Sequence, residues 1–167
     1  LQRVEARCNR AWQMVNDVNE LEQTVAQTME RAFWDATREK VSQGEMEPLY
    51  DVLTQAKDCV RALLAGAPLS RGQFDDRFDV NWIRERGEAG HLTREDVGNL
   101  AMYLAEQVGR MQAPADDHLV QPWVEAVRTR ANENDALTAY LPDVVFVIRD
   151  AIHYLRMIYT RIKSYKK

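Results

Sequence analysis

The chain has 167 residues, 46% hydrophobic and 29% charged, with a net charge of −4 and only two cysteines. Such a composition excludes a disordered or low-complexity chain, and this length buries a core without disulfide or metal staples. The acidic balance argues against a duplex nucleic-acid binder, which presents a basic face.

The first element is a long helix. Val4, Cys8, Ala11, Val15, Val18, Val25, Met29 and Phe33 recur three, four or seven residues apart and, with Trp12 and Leu21, form one apolar stripe. The period runs to about Val41, where Ser42 and Gly44 interrupt it. The spacing resembles a coiled-coil seam, but Asn9, Asn16 and Asn19 make it wet, so the expectation is a helix packed on the rest of the domain. Pro48 opens a second helix whose apolar face carries Leu49, Val52, Leu53, Ala56, Val60, Leu63 and Leu64. Gly66 and Pro68 end it. Residues 69–78 read as a polar loop anchored by Phe74 and Phe78. Asp79 is placed to cap a short helix through Ile83, closed by Gly87 and Gly90.

Thr93 and Asp96 approximate a capping box, with aspartate shorter than the usual Glu or Gln. The helix that follows is expected to bury Val97, Leu100, Ala101, Leu104, Val108 and Met111, and Pro114 stops it. Asp116 is placed to cap the next helix, which carries Leu119, Trp123 and Val127. After a turn at 132–135, a last helix holds Leu137, Leu141, Val144, Val145, Ile148, Ile152, Leu155, Ile158 and Ile162. Pro142 should kink that helix or mark its start. No segment alternates with period two and no hairpin signal occurs. The class is all-α: an irregular bundle of about six or seven helices with a long N-terminal helix, read as one domain over 1–167 and a fragment of a longer protein.

Little in the chain points to chemistry. Cys8 and Cys59 lack partners at metal-ligand spacing and lie on apolar faces, so both read as buried free thiols. Asp116, Asp117 and His118 are consecutive, and consecutive helical residues point apart rather than around one metal. His91 and His153 read as surface residues. The carboxylates from Asp75 to Asp96 read as solvated faces and caps. Phosphate-loop, Gly-x-Ser-x-Gly and His-Glu-x-x-His signatures are missing, and the glycines look like helix punctuation. The expectation is a protein without catalytic residues, cofactor or metal. No apolar run is long enough to span a bilayer.

Interaction residues are easier to nominate. Phe33 and Trp34 are adjacent, so one packs inward and the other meets a neighbour or a partner. Trp12, Trp82 and Trp123 read as core or core edge. On the last helix Tyr154, Arg156, Tyr159, Arg161 and Lys163 combine the aromatics and cations that interface hot spots favour. From Arg149 on, six basic residues (Arg149, Arg156, Arg161, Lys163, Lys166 and Lys167) face only Asp150. They complement a helix C-terminus and leave room for weak contact with an anionic surface.

Three blocks carry a resemblance. Ala32-Phe33-Trp34-Asp35 ends the first helix. Phe78-Asp79-Val80-Asn81-Trp82-Ile83 and Gly90-His91-Leu92 follow the second. Leu100-Ala101-Met102-Tyr103-Leu104 leads to Gln112-Ala113-Pro114-Ala115-Asp116-Asp117. In this order they resemble the N-terminal part of the T-complex protein 11 family, most clearly over residues 30–125. Gln112 stands where the family has cysteine, and Ala115-Asp116 where it has a valine-arginine pair. The resemblance implies an all-α intracellular domain without known catalytic residues. It also implies protein partners in cyclic-AMP-dependent protein kinase signalling, a cytoplasmic place, and in animals an association with the sperm flagellum. A structural role in a cilium, flagellum or other assembly is the alternative it leaves open.

Overall fold

The computed structural model describes residues 2–165, without the side chains of residues 2–9, 12, 15 and 16. The readings of Cys8 and Trp12, and the basic residues Lys166 and Lys167, fall outside what is described. Among the described residues the fold is all-α, as expected, with no strand. The helices are α1 (Gln2–Ser42), α2 (Glu47–Leu63), α3 (Pro68–Arg77), α4 (Val80–Glu88), α5 (Arg94–Met111), α6 (Asp117–Ala131) and α7 (Leu137–Tyr165). A single 3-10 turn, Pro114–Asp116, lies between α5 and α6. The chain resolves into two compact units, Leu1–Ala36 and Thr37–Lys167.

The first unit is a stretch of α1. Of its apolar stripe, Met14, Val18, Leu21, Val25, Met29 and Phe33 are exposed, and Val4, Cys8, Trp12 and Val15 lie outside the described side chains. Periodicity shows that residues share a face and not what covers it. Trp34 is buried and Phe33 exposed, so the adjacent aromatics divide as their spacing requires.

The second unit holds the core. α5 packs against both α6 and α7, and α2 packs against α7 and α4. Buried side chains recur three or four apart on each: Leu49, Val52, Leu53, Ala56 and Val60 on α2; Val97, Leu100, Ala101, Leu104 and Val108 on α5; Val144, Val145, Ile148, Ile152 and Leu155 on α7. Each such valine, leucine or isoleucine contributes about 1.5–3 kcal/mol by leaving water. Leu63, Leu64 and Met111 are only half-buried. On α6 the buried face is Val120, Val124 and Val127, and Leu119 is exposed. Trp82 also lies on the surface, under the Arg86 guanidinium at 4.8 Å, and Trp123 holds the core-edge position.

Several boundaries differ from expectation for local reasons. Residues 68–77 are helical, not a loop. Pro68 opens α3 at a position where its fixed φ is pre-set and its missing N–H costs nothing. Phe74 stacks on Phe78 at 5.2 Å and on Tyr103 at 6.0 Å, and Arg61 of α2 pairs with Asp75 at 3.2 Å. Tertiary anchors therefore hold a helix whose own sequence shows no apolar period. The capping box at Thr93 and Asp96 is complete, and Asp96 also accepts from Arg86 Nε at 3.0 Å. Asp116 makes no cap hydrogen bond and pairs with Arg161 instead. α7 starts at Leu137, five residues before Pro142.

A polar cluster joins α5, α6 and α7. Arg94, the first residue of α5, donates to the carbonyls of Ala131 at 2.6 Å and Arg130 at 2.8 Å, closing the open C-terminus of α6. Its Nε reaches Asp135 at 2.7 Å. Arg130 donates to Asp135 at 2.7 Å, Asp143 at 2.8 Å and Glu133 at 3.1 Å. Both guanidiniums lie over the Tyr140 ring, Arg94 4.2 Å and Arg130 4.9 Å from its centroid. Hydrogen bonds from Arg130 and then Arg94 hold the Asp135 carboxyl well below the usual carboxylate range.

Two predictions follow from this packing. A Cβ on Gly87 would overlap the Tyr50 hydroxyl oxygen. Gly87→Ala should therefore lower stability by about 1–3 kcal/mol in urea unfolding, although alanine is the better helix former. Adding Tyr50→Phe removes the obstructing oxygen and should recover most of the loss. The second concerns acid. A folded-state pKa below the unfolded one stabilises fully above the unfolded carboxylate value and is lost as pH falls through the folded value. Stability should thus decline from about pH 5 downward, and Asp135→Asn should flatten that decline while lowering stability at neutral pH.

Candidate functional site

Of the nominated residues of α7, Arg156 and Tyr159 line a groove between α2 and α7. Asp58, Cys59 and Ala62 form one wall; Leu155, Arg156 and Tyr159 form the other, enclosing about 260 Å³ of mainly apolar space. The groove exists because small Ala62 and Cys59 face the larger Leu155 and Tyr159 where the two helices pack. Cys59 is a free thiol and half-buried, not fully buried. Burial pushes its pKa up, Arg156 opposes that, and Asp58 adds to it.

Past the groove, α7 runs out of cover. Leu155, Ile158, Ile162 and Tyr165 share one face, and their exposure climbs from 1% to 7%, 41% and 82%. Ile162, expected in the core, is therefore on the surface. Met157 and Tyr159 are exposed beside it. On the other side of Arg156, a shallow surface is formed by His153, Met157, Thr160 and Arg161.

The other nominated residues are placed unequally. Tyr159 stands under the Lys163 ammonium at 4.9 Å, so the two form one amphipathic feature at the groove mouth. Tyr154 is half-buried against Trp123, with ring centroids 5.1 Å apart, and serves packing. Arg161 is half-buried in its ion pair with Asp116, and Arg149 pairs with Asp150 and covers Phe146 at 4.2 Å. Phe33 and Trp34 belong to the first unit, and only Phe33 is exposed. Sequence reasoning missed Asp58, Ala62 and Met157. The four-three spacing of Leu155, Ile158, Ile162 and Tyr165 marked the stripe, but nothing local marked where the cover ends.

A second concavity, about 340 Å³, includes Arg77, Trp82, Asp96 and Tyr103. Three of its polar groups are engaged in structure: Asp79 caps α4 through Trp82 N–H at 3.0 Å, Asp96 completes the α5 cap, and Arg77 lies 4.4 Å from the Tyr103 ring. Among the described residues, no three His, Cys, Asp or Glu side chains stand close enough to hold a metal ion. No helix among them is long and apolar enough to cross a membrane.

The groove electrostatics are testable at Cys59. Its alkylation by iodoacetamide, followed by peptide mass spectrometry, should rise with pH through a midpoint above that of an exposed thiol. Arg156→Gln should move the midpoint further up, because it removes the cation that favours the thiolate.

A family model described as T-complex protein 11 matches residues 3–161, nearly the whole chain. No curated protein and no solved structure matches it.

Proposed function

We propose that this chain, which belongs to the T-complex protein 11 family, is a non-catalytic helical interaction domain acting as a regulatory adaptor in cyclic-AMP-dependent protein kinase signalling. The observation that carries the reading is the uncovered end of α7, where Met157, Tyr159, Ile162 and Tyr165 are exposed beside the Cys59–Leu155 groove. Apolar and aromatic side chains ringed by Arg156 and Lys163 have the make-up of a protein-binding hot spot. Binding here is a matter of burying that stripe under a partner surface. Pairing of Arg161 with Asp116 and of Arg149 with Asp150 takes up much of the basic charge. That favours a protein partner over an anionic membrane or nucleic-acid surface. The kinase pathway itself rests on family kinship.

A structural part in a cilium, flagellum or other assembly is the second reading. It is favoured by the 41-residue α1, about 60 Å long, with its exposed apolar stripe.

Affinity purification of the tagged protein from its own cells, with mass spectrometry of what co-elutes, tests the adaptor reading. Kinase subunits or their anchors should co-elute with the native protein. Tyr159→Ala with Ile162→Ala should weaken capture by about 2 kcal/mol, roughly thirtyfold in affinity. Recovery of assembly proteins with no kinase component moves the conclusion to the structural reading.

A further inference from the structure

The α1 stripe is a second surface, distinct from the end of α7. Met14, Val18, Leu21 and Val25 follow at intervals of four, three and four, the spacing of a coiled-coil seam, and Met29 extends it by four more. Each of the five is between 49% and 68% exposed. The flanks are acidic. Asp17 lies three residues after Met14 and four before Leu21; Glu22 lies four after Val18 and three before Val25, so carboxylates edge the seam on both sides. From Ala11 to Glu30 there is no lysine or arginine.

Charge decides what can lie on this face. A parallel, in-register pair of identical helices would set Asp17 of one copy opposite Glu22 of the other, and like charges at these flanking positions select against pairing. A helix whose own apolar seam is edged by lysine or arginine meets attraction at the same positions. We propose that the α1 face from Met14 to Met29 is a docking site for a basic amphipathic helix of a partner protein. Apolar side chains of the partner pack along Val18, Leu21 and Val25, and its cations pair with Asp17 and Glu22. The site spans about 24 Å, a little over four helical turns. A coiled coil of this length, weak alone, suits an adaptor that engages a second component while α7 holds the first.

The test uses the full chain and two synthetic peptides of about 21 residues, three heptads with leucine at a and d. One carries lysine at e and g, the other glutamate. Fluorescence anisotropy at about 0.15 M salt reads binding. The lysine peptide should bind at least about tenfold more tightly than the glutamate peptide. Leu21→Asp should weaken it by about tenfold or more, and Asp17→Lys with Glu22→Lys should reverse the preference. Circular dichroism checks that the variants keep their helix. Failure of the lysine peptide to bind, equal affinity for both peptides, or binding unchanged in Leu21→Asp overturns the assignment. So does a dimer of the chain that Leu21→Asp abolishes, which gives the face to a second copy. Tyr159→Ala should leave peptide binding unchanged, so the α1 and α7 surfaces stand or fall separately.

Discussion

Two arginine side chains closing on Tyr140 tie α5, α6 and α7 of the second unit together. Arg94 supplies the hydrogen bonds that the last carbonyls of α6 would otherwise lack, and does so from the first turn of α5. Arg130 ties the same end of α6 to Asp135 in the turn and Asp143 in α7. Arg38, in the last part of α1, adds a weaker contact to Asp143 at 3.6 Å. The Tyr140 side chain is 1% exposed, and both guanidiniums pack against its ring. Planar guanidinium groups suit this work because they stack and donate at once, which a lysine ammonium cannot do. Everything downstream inherits the geometry, because this cluster sets where α7 begins and hence where its far end emerges beyond α2.

Much of this was legible in the sequence, and the failures have physical causes. Helical periods located α2, α5 and α7, since each buries one continuous face. Thr93, Asp79 and Pro48 marked helix starts because capping is local chemistry. α3 was hidden because it is held by Phe74 stacking on its own C-cap Phe78 and on Tyr103 of α5, and by the Arg61–Asp75 pair, not by a sustained apolar period. Asp116 looked like a cap, yet its carboxylate is drawn to Arg161, a residue remote in sequence. The same limit applied to Arg94 and Arg130, whose partners span turns and helices that no window of sequence joins. For the candidate site, Tyr159, Arg156 and Lys163 were visible as a cluster of types, whereas the opposing wall at Asp58, Cys59 and Ala62 comes only with tertiary packing.

Charged side chains of the second unit serve as caps, clamps and ion pairs: Asp79, Asp96 and Asp135 each have identified partners. The exposed apolar side chains form two stripes of opposite surroundings. The one on α7 is edged by Arg156 and Lys163, the one on α1 by Asp17 and Glu22. Exposed apolar stripes of this kind are liabilities unless they are covered in use.

The most direct measurement is hydroxyl-radical footprinting of the protein alone and with the partner recovered from its own cells. Met157, Tyr159 and Tyr165 are oxidisable, exposed and confined to the end of α7. The account predicts that their oxidation falls when partner is bound while that of Trp82 and Tyr103 does not change. Protection of Trp82 and Tyr103 with Met157 and Tyr159 still fully reactive would contradict it and place binding in the α4–α5 concavity.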